Sequence, residues 1–511
     1  FGAASTTGSR RNRRLMASFS ARLAALVSGL LLSAGSASAL ERLVLEMPAL
    51  ETNVTINLGE AVDADTLIRS SPDLRDFEGF GRGRLRGLLQ NIFMAPLPRE
   101  TKAFLEGSTG QPLLEQALLA ATSLVQLKGM EADSSGRMLS DALSRAERNG
   151  QPNILGLLRE IPGDEASIDL SVLGFIAGRL KANQEPAVAL ARSQPAASVS
   201  PALHQRPMGR WQRQRLRLEV AHRPLPLELL VLLPTAQANG RLAVISHGLW
   251  DDPESFEGWG EVLAANGYTV VLPDHPGSNF SQQRGMLAGD RPPPGPEELQ
   301  KRPIDVSAVL DAVASGQLLS GRNLNTESVA VIGHSWGGTT SLQLAGGLPT
   351  DFKLKARCGD QKDPERNLSW VLQCSWLSGV SKAAAADPRV RAVVAVSPPL
   401  RLLFDPSSGQ SLSAKVLLVS GTRDWVVPPV PEAIQPMRDS GAARGGHRLV
   451  LVEGADHFSL RSSRNQPRPA IVGPVLLSWL NEHLGVDPNT SFQDGGWGDD
   501  QIRLIDVTNA L

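Results

Sequence analysis

Aromatic side chains are scarce in this chain: they make up 5% of its 511 residues, with Tyr268 the single tyrosine. A stacked array of rings for single-stranded nucleic acid is thereby excluded. Net positive charge is missing too, since 51 basic residues face 52 acidic ones, so there is no electrostatic footprint for a phosphate backbone. Two cysteines build neither a cysteine-rich scaffold nor a four-cysteine zinc site. No apolar run reaches transmembrane length, and residues 40–181 contain no histidine. Hydrophobic residues nevertheless make up 41% of the chain, ample for buried cores. At roughly 100–200 residues per domain, the length implies two to four structural units.

Residues 10–14 are basic, residues 23–32 are apolar, and Ala37-Ser38-Ala39 has the small-x-small pattern of a cleavage site. Residues 1–39 therefore read as an export signal, with Met16 an alternative start. The expectation is an exported protein, periplasmic or secreted, without a transmembrane anchor. A buried N-terminal helix is the plainer alternative.

Residues 40–183 read as a mainly helical domain. Leu85, Leu88, Leu89, Ile92 and Phe93 recur at helical spacing, and one short strand is expected at Val54–Leu58. Residues 184–209 are rich in Pro, Ala, Ser and Gln and read as a linker. From 210 to 486, short β-branched or leucine runs alternate with helical stretches, the pattern of a mostly parallel sheet covered on both faces. The Asp/Gly-rich tail, residues 487–511, is expected to add nothing to the core.

Gly333-His334-Ser335-Trp336-Gly337-Gly338 contains Gly-x-Ser-x-Gly, a weak signal by itself. Its setting strengthens it, because Ser328–Ile332 runs into it as a strand and Thr339–Ala345 leaves it as a helix. At such a join the serine is strained and its hydroxyl is thrust clear of the sheet. A glycine-rich turn that binds phosphate, or nothing, is the bland alternative.

A nucleophilic serine needs a base. Of eight histidines, His457 follows the last expected strand, in Gly454-Ala455-Asp456-His457-Phe458, where ligand-facing loops of a parallel sheet lie. His334 is too close to Ser335 along the turn to face its hydroxyl. Asp424, in Gly421-Thr422-Arg423-Asp424, follows the penultimate strand and is the favoured orienting carboxylate. Asp405, one strand earlier and before Pro406, is the rival. Ser246-His247-Gly248-Leu249-Trp250 closes another strand, so the N–H groups of Leu249 and Trp336 are the expected oxyanion donors.

These residues resemble the α/β-hydrolase superfamily over roughly residues 206–483. Ser246-His247-Gly248-Leu249 and the Ser335 motif look like the platelet-activating-factor acetylhydrolase type. That resemblance implies a serine esterase acting on short-acyl or lipid-like esters, with Ser335, His457 and the donors Leu249 and Trp336 in their family roles. In that group the acid stands one strand earlier, near Asp405. Over nearly the whole length the chain is similar to a bacterial family, best known from cyanobacteria, that fuses an uncharacterised helical domain to such a hydrolase. Leu368-Ser369-Trp370-Val371-Leu372-Gln373-Cys374 and Asp387-Pro388-Arg389-Val390 carry that likeness.

Residues 349–386 form an insertion where hydrolases carry lids, and either a lid over an acyl pocket or ordinary packing fits its tryptophans. In an exported protein, Cys358 and Cys374 within it are expected to form a disulfide. The function expected is a carboxylic-ester hydrolase of lipid degradation, needing no cofactor and no metal. A peptidase or amidase on the same triad, and a non-catalytic binding module, are the alternatives. The expected partner is a small-molecule or lipid ester; nucleic acid is not expected, and peripheral membrane contact stays open.

Overall fold

A computed structural model describes residues 39–511 except 49–50, 82–83, 99, 123–124, 129–132, 196, 205–209, 362, 465, 467–469, 488–489 and 491. The expected export signal lies outside the described residues apart from Ala39. The chain divides into two units, one comprising residues up to Ala177 with Gly285–Pro293, the other Gly178–Arg284 with Pro294–Leu511.

In the first unit helices outnumber strands, and the difference from expectation is a four-stranded sheet among them. Strands β1 (Arg42–Met47), β2 (Thr52–Asn57), β3 (Val125–Leu127) and β4 (Glu165–Asp169) form a sheet in the order β2-β1-β4-β3. β1 pairs antiparallel with β2 and parallel with β4. The expected strand near Val54 is therefore one of four. The others escape a periodicity reading because β3 is three residues long and β4 is the mostly polar Glu-Ala-Ser-Ile-Asp. β4 is held by β1, more than a hundred residues away, and by β3, about forty residues away, not by its own pattern. Helices α1 (Pro72–Gly81) and α2 (Arg84–Phe93) contribute Leu74, Leu89 and Phe93 to one core with Leu43, Val54 and Ile56.

In helix α3 (Leu170–Ser193) the residues from Gly178 onward, two thirds of its length, belong to the other unit. Residues 184–193, expected as linker, are thus helical. Ala187 and Ala191, one turn apart, are fully buried against the large sheet. Small alanines make a narrow apolar stripe that composition alone cannot separate from a flexible spacer.

The second unit is built on nine strands, β5 (Trp211–Leu218), β6 (Leu227–Pro234), β7 (Arg241–Ser246), β8 (Thr269–Pro273), β9 (Asn325–His334), β10 (Val390–Val396), β11 (Lys415–Gly421), β12 (Arg448–Val452) and β13 (Leu504–Asp506). Their order is β13-β12-β11-β10-β9-β7-β8-β6-β5. The six strands from β12 to β8 run parallel. β5, β6 and β13 join antiparallel at the edges. Alternate side chains feed two cores. Val244, Val331 and Val393 pack with helices α5 (Glu298–Ala314) and α6 (Trp336–Leu344). Ile245, Ile332 and Val394 pack with α4 (Glu257–Ala265) and α7 (Gly473–Leu484) on the other face.

The tail also differs from expectation. β13 pairs Leu504 with Val452 and Ile505 with Leu451, and Phe492 and Trp497 are buried with α7. A few well-placed apolar residues close the sheet edge despite the acidic, glycine-rich composition around them, and a covered edge is protected from pairing with another chain.

Candidate active site

The elbow at Ser335 is set by its neighbours. β9 ends at His334, α6 begins at Trp336, and Ser335 between them has φ 53° and ψ −120°. A non-glycine residue is strained there. The tightness of the turn explains its glycines. A Cβ on Gly333 would lie 2.0 Å from the Gly337 carbonyl oxygen, and one on Gly337 would lie 2.0 Å from the Ser246 carbonyl oxygen. Any side chain at either position would push the elbow off the sheet.

His457 stands on the loop after β12, and its Nδ1 lies 2.8 Å from Asp424 Oδ2. Asp424 Oδ1 accepts from the N–H groups of Val426 at 2.9 Å and Val427 at 2.8 Å. Its carboxylate is completely buried and committed, which aims one oxygen at the imidazole. Asp405 is engaged elsewhere: Thr350 Oγ1 donates to it at 3.0 Å and Lys353 Nζ lies 3.6 Å away. Of the two candidate acids, Asp424 is the one the fold joins to His457.

His334 ties the imidazole loop to the elbow. Its ring centroid is 4.5 Å from that of His457, and its Nε2 donates to the His457 carbonyl oxygen at 2.9 Å. Burial holds its pKa well below the ordinary histidine value, helped by His457 and Arg461 nearby, so it braces as a neutral ring.

The turn after β7 meets the elbow directly. A Cβ on Gly248 would come within 3.4 Å of Ser335 Cβ. Trp250, at φ 58°, donates its N–H to Ser278 O at 2.7 Å. The Leu249 N–H makes no backbone hydrogen bond among the described residues. Trp336 opens α6, and the first N–H groups of a helix have no partner within it. Leu249 thus follows the glycine that approaches Ser335, and Trp336 follows Ser335 itself.

Behind this turn lies a buried polar network that sequence reasoning missed. Arg302, on α5, donates to the His247 carbonyl oxygen and, at 3.1 Å, to Ser278 Oγ. Burial lowers its pKa to about 10, against the pull of Glu298. Ser246 Oγ is 2.9 Å from His275 Nε2, and His275 Nδ1 is 2.7 Å from Asp305 Oδ2. Asp305 also accepts from Arg223 and lies 2.6 Å from His222 Nε2. Burial alone would raise the Asp305 carboxyl, but the bonds from His222, His275 and Arg223 outweigh it and hold the pKa far below the usual range. His275 itself is held neutral by burial and by Arg302. The backbone N–H of His275 donates to His247 Nε2 at 3.0 Å, which leaves His247 Nδ1 to donate to Gly248 O at 2.7 Å. The only signals in sequence were polar residues at helical positions of α5, a pattern that a solvated helix face shares.

The described part of the 349–386 insertion packs against the start of α6. Trp370 and Trp376 are buried, and Trp376 lies against Trp336 with ring centroids 4.5 Å apart. Cys358 and Cys374 are joined by a disulfide. Glu432, also unanticipated, accepts from the N–H groups of Leu400 and Arg401, both at 2.9 Å, and from Gln373 of the insertion. Burial pushes its carboxyl up, while these bonds pull the other way. Gln184 of α3 donates to the carbonyl oxygens of Arg423 at 2.9 Å and Asp424 at 3.1 Å, bracing the acid loop.

Among the described residues no helix is long and apolar enough to cross a membrane. None of the curated proteins matches the sequence. Residues 244–353 match the family profile described as "alpha/beta hydrolase fold", a stretch that holds Leu249, Ser335 and Trp336 but ends before Asp424 and His457. With that match, the parallel sheet and the elbow, the second unit has the architecture of the α/β-hydrolase fold.

Proposed function

We infer that the chain is a serine carboxylic-ester hydrolase working through an acyl-enzyme, with Ser335, His457 and Asp424 as its catalytic residues. The bond between His457 Nδ1 and Asp424 at 2.8 Å, on a loop that His334 ties to a serine held at φ 53°, carries this reading. Asp424 accepts a hydrogen bond from Nδ1–H, which leaves Nε2 unprotonated and able to take the proton from Ser335 Oγ as it attacks the carbonyl carbon. The oxyanion then rests on the N–H groups of Leu249 and Trp336, donors that need no reorganisation at the moment of reaction. His457 returns the proton to the leaving alkoxide, then activates the water that releases the acid.

An apolar ester is the substrate class favoured by the surroundings. Trp425 and Phe458, immediately after the acid and the base, are each about half exposed, with ring centroids 5.9 Å apart. Leu249, partly buried, packs on the apolar cluster of Trp336, Trp370 and Trp376 beside the elbow. These features accord with short-acyl or lipid-like esters of the platelet-activating-factor acetylhydrolase type. Turnover of a p-nitrophenyl ester series beside an aminoacyl anilide tests the choice. Ester hydrolysis abolished by Ser335→Ala is expected. Anilide turnover of equal efficiency would overturn the ester assignment, and activity surviving Ser335→Ala would overturn the mechanism.

A further inference from the structure

The first unit contains a cavity of about 430 Å³ whose twenty lining residues are all apolar. Its floor is one face of the small sheet. Cross-strand register sets Ile56, Leu43 and Ala166 in one row and Val54, Leu45 and Ile168 in the next, so alternate side chains of three strands make a continuous apolar surface. Leu85 and Leu89 of α2 form the roof, and the mouth is marked by Phe77, Leu88 and Ile92, each 43–55% exposed.

Natural interiors are packed as densely as organic crystals and leave few voids larger than a water molecule. Water gains nothing in a hollow without polar partners, and an apolar cavity about a third of this size, on the order of 150 Å³, stays dry and takes up benzene. Scaled by that volume, this cavity matches on the order of 17 carbon atoms. No lining side chain can pair with a charge or a hydrogen-bonding group, so an occupant must be hydrocarbon within and carry any polar group at the mouth.

We propose that this unit binds the alkyl chain of a single-chain amphiphile, a fatty acid or a lysophospholipid, with the chain on the sheet face between β1, β2 and β4 and the head group at Phe77, Leu88 and Ile92. The proposal is independent of the chemistry assigned to Ser335.

Fluorescence titration of the full chain with cis-parinaric acid, with fatty acids of 8–18 carbons and lysophosphatidylcholines as competitors, tests it. In the Ser335→Ala background no competitor is consumed. Competitor affinity should rise up to about fourfold per methylene and level off near 16 carbons. Stronger competition by one class would identify the head group tolerated at the mouth. Ala166→Trp, which fills the floor, should weaken parinaric acid at least tenfold. Leu88→Glu, at an exposed position where folding is not threatened, should weaken it at least fivefold. A diazirine fatty acid should crosslink to peptides within residues 40–170. Absence of binding, unchanged affinity in Leu88→Glu, or crosslinks confined to residues 178–284 and 294–511 would overturn the proposal.

Discussion

Replacing Asp424 by asparagine changes one atom at the centre of the proposed site, and the hydrogen bonds around that atom determine the consequence. Asp424 Oδ1 accepts two backbone N–H groups, from Val426 and Val427. The side-chain amide of asparagine must keep its oxygen there, because an NH₂ group would face two donors. The NH₂ group then falls where Oδ2 now meets His457 Nδ1 at 2.8 Å. Two donors cannot share that contact, so Nδ1 must become the acceptor and the imidazole proton moves to Nε2, the atom that should receive the proton of Ser335. The fold would be kept and the base lost. The expected fall in kcat is about 10⁴, or roughly 5.5 kcal/mol of transition-state stabilisation, with the melting temperature nearly unchanged. Asp405→Asn is the matched control. Its partners are Thr350 and Lys353, and activity should stay within about twofold. Initial rates on a p-nitrophenyl ester for both variants suffice. A large loss in Asp405→Asn with little in Asp424→Asn would refute the reasoning.

Three further outcomes are expected from the network, the insertion and the buried histidines. Arg302→Met removes the guanidinium that fixes the His247 carbonyl, so kcat should fall about ten- to a hundredfold with KM little changed, and Arg302→Lys should restore part of it; a change confined to KM would contradict a positioning role. Replacing both Cys358 and Cys374 by serine should cost about 3 kcal/mol in urea unfolding, and reductant should have no further effect on that variant. His447 Nδ1 accepts the Val416 N–H at 3.1 Å, and burial lowers the His447 pKa to about 4. Its folded value lies below the unfolded one, so its contribution is fully present above about pH 6.5 and is lost as pH falls towards 4. Unfolding midpoints measured between pH 7.5 and 4.5 should decline accordingly, and His447→Gln should flatten the slope.

What could be read in sequence was what the chain encodes locally. The Ser335 motif lies between its own strand and helix, and Asp424 and His457 each come after a run of β-formers, so each position is legible in a short window. Choosing between Asp424 and Asp405 was harder, because both stand beyond a strand and only the bond to His457 separates them. Features held by distant partners were not legible. β4 is mostly polar and becomes a strand only beside β1 and β3. The second half of α3 has the composition of a spacer because its buried stripe is alanine. β13 hides in an acidic tail, since Leu504 and Ile505 acquire meaning only against β12. His222, His275 and Asp305 converge from three elements, so no spacing within one segment could have signalled them.

The central claim is that Ser335 is a nucleophile activated by His457 and Asp424. Intact-mass analysis after treatment with a fluorophosphonate, combined with peptide mapping, tests it most directly. One adduct per chain on Ser335, formed far more slowly in Asp424→Asn and absent in Ser335→Ala, is the result predicted. An unmodified protein, or an adduct on another residue that persists in Ser335→Ala, would contradict it.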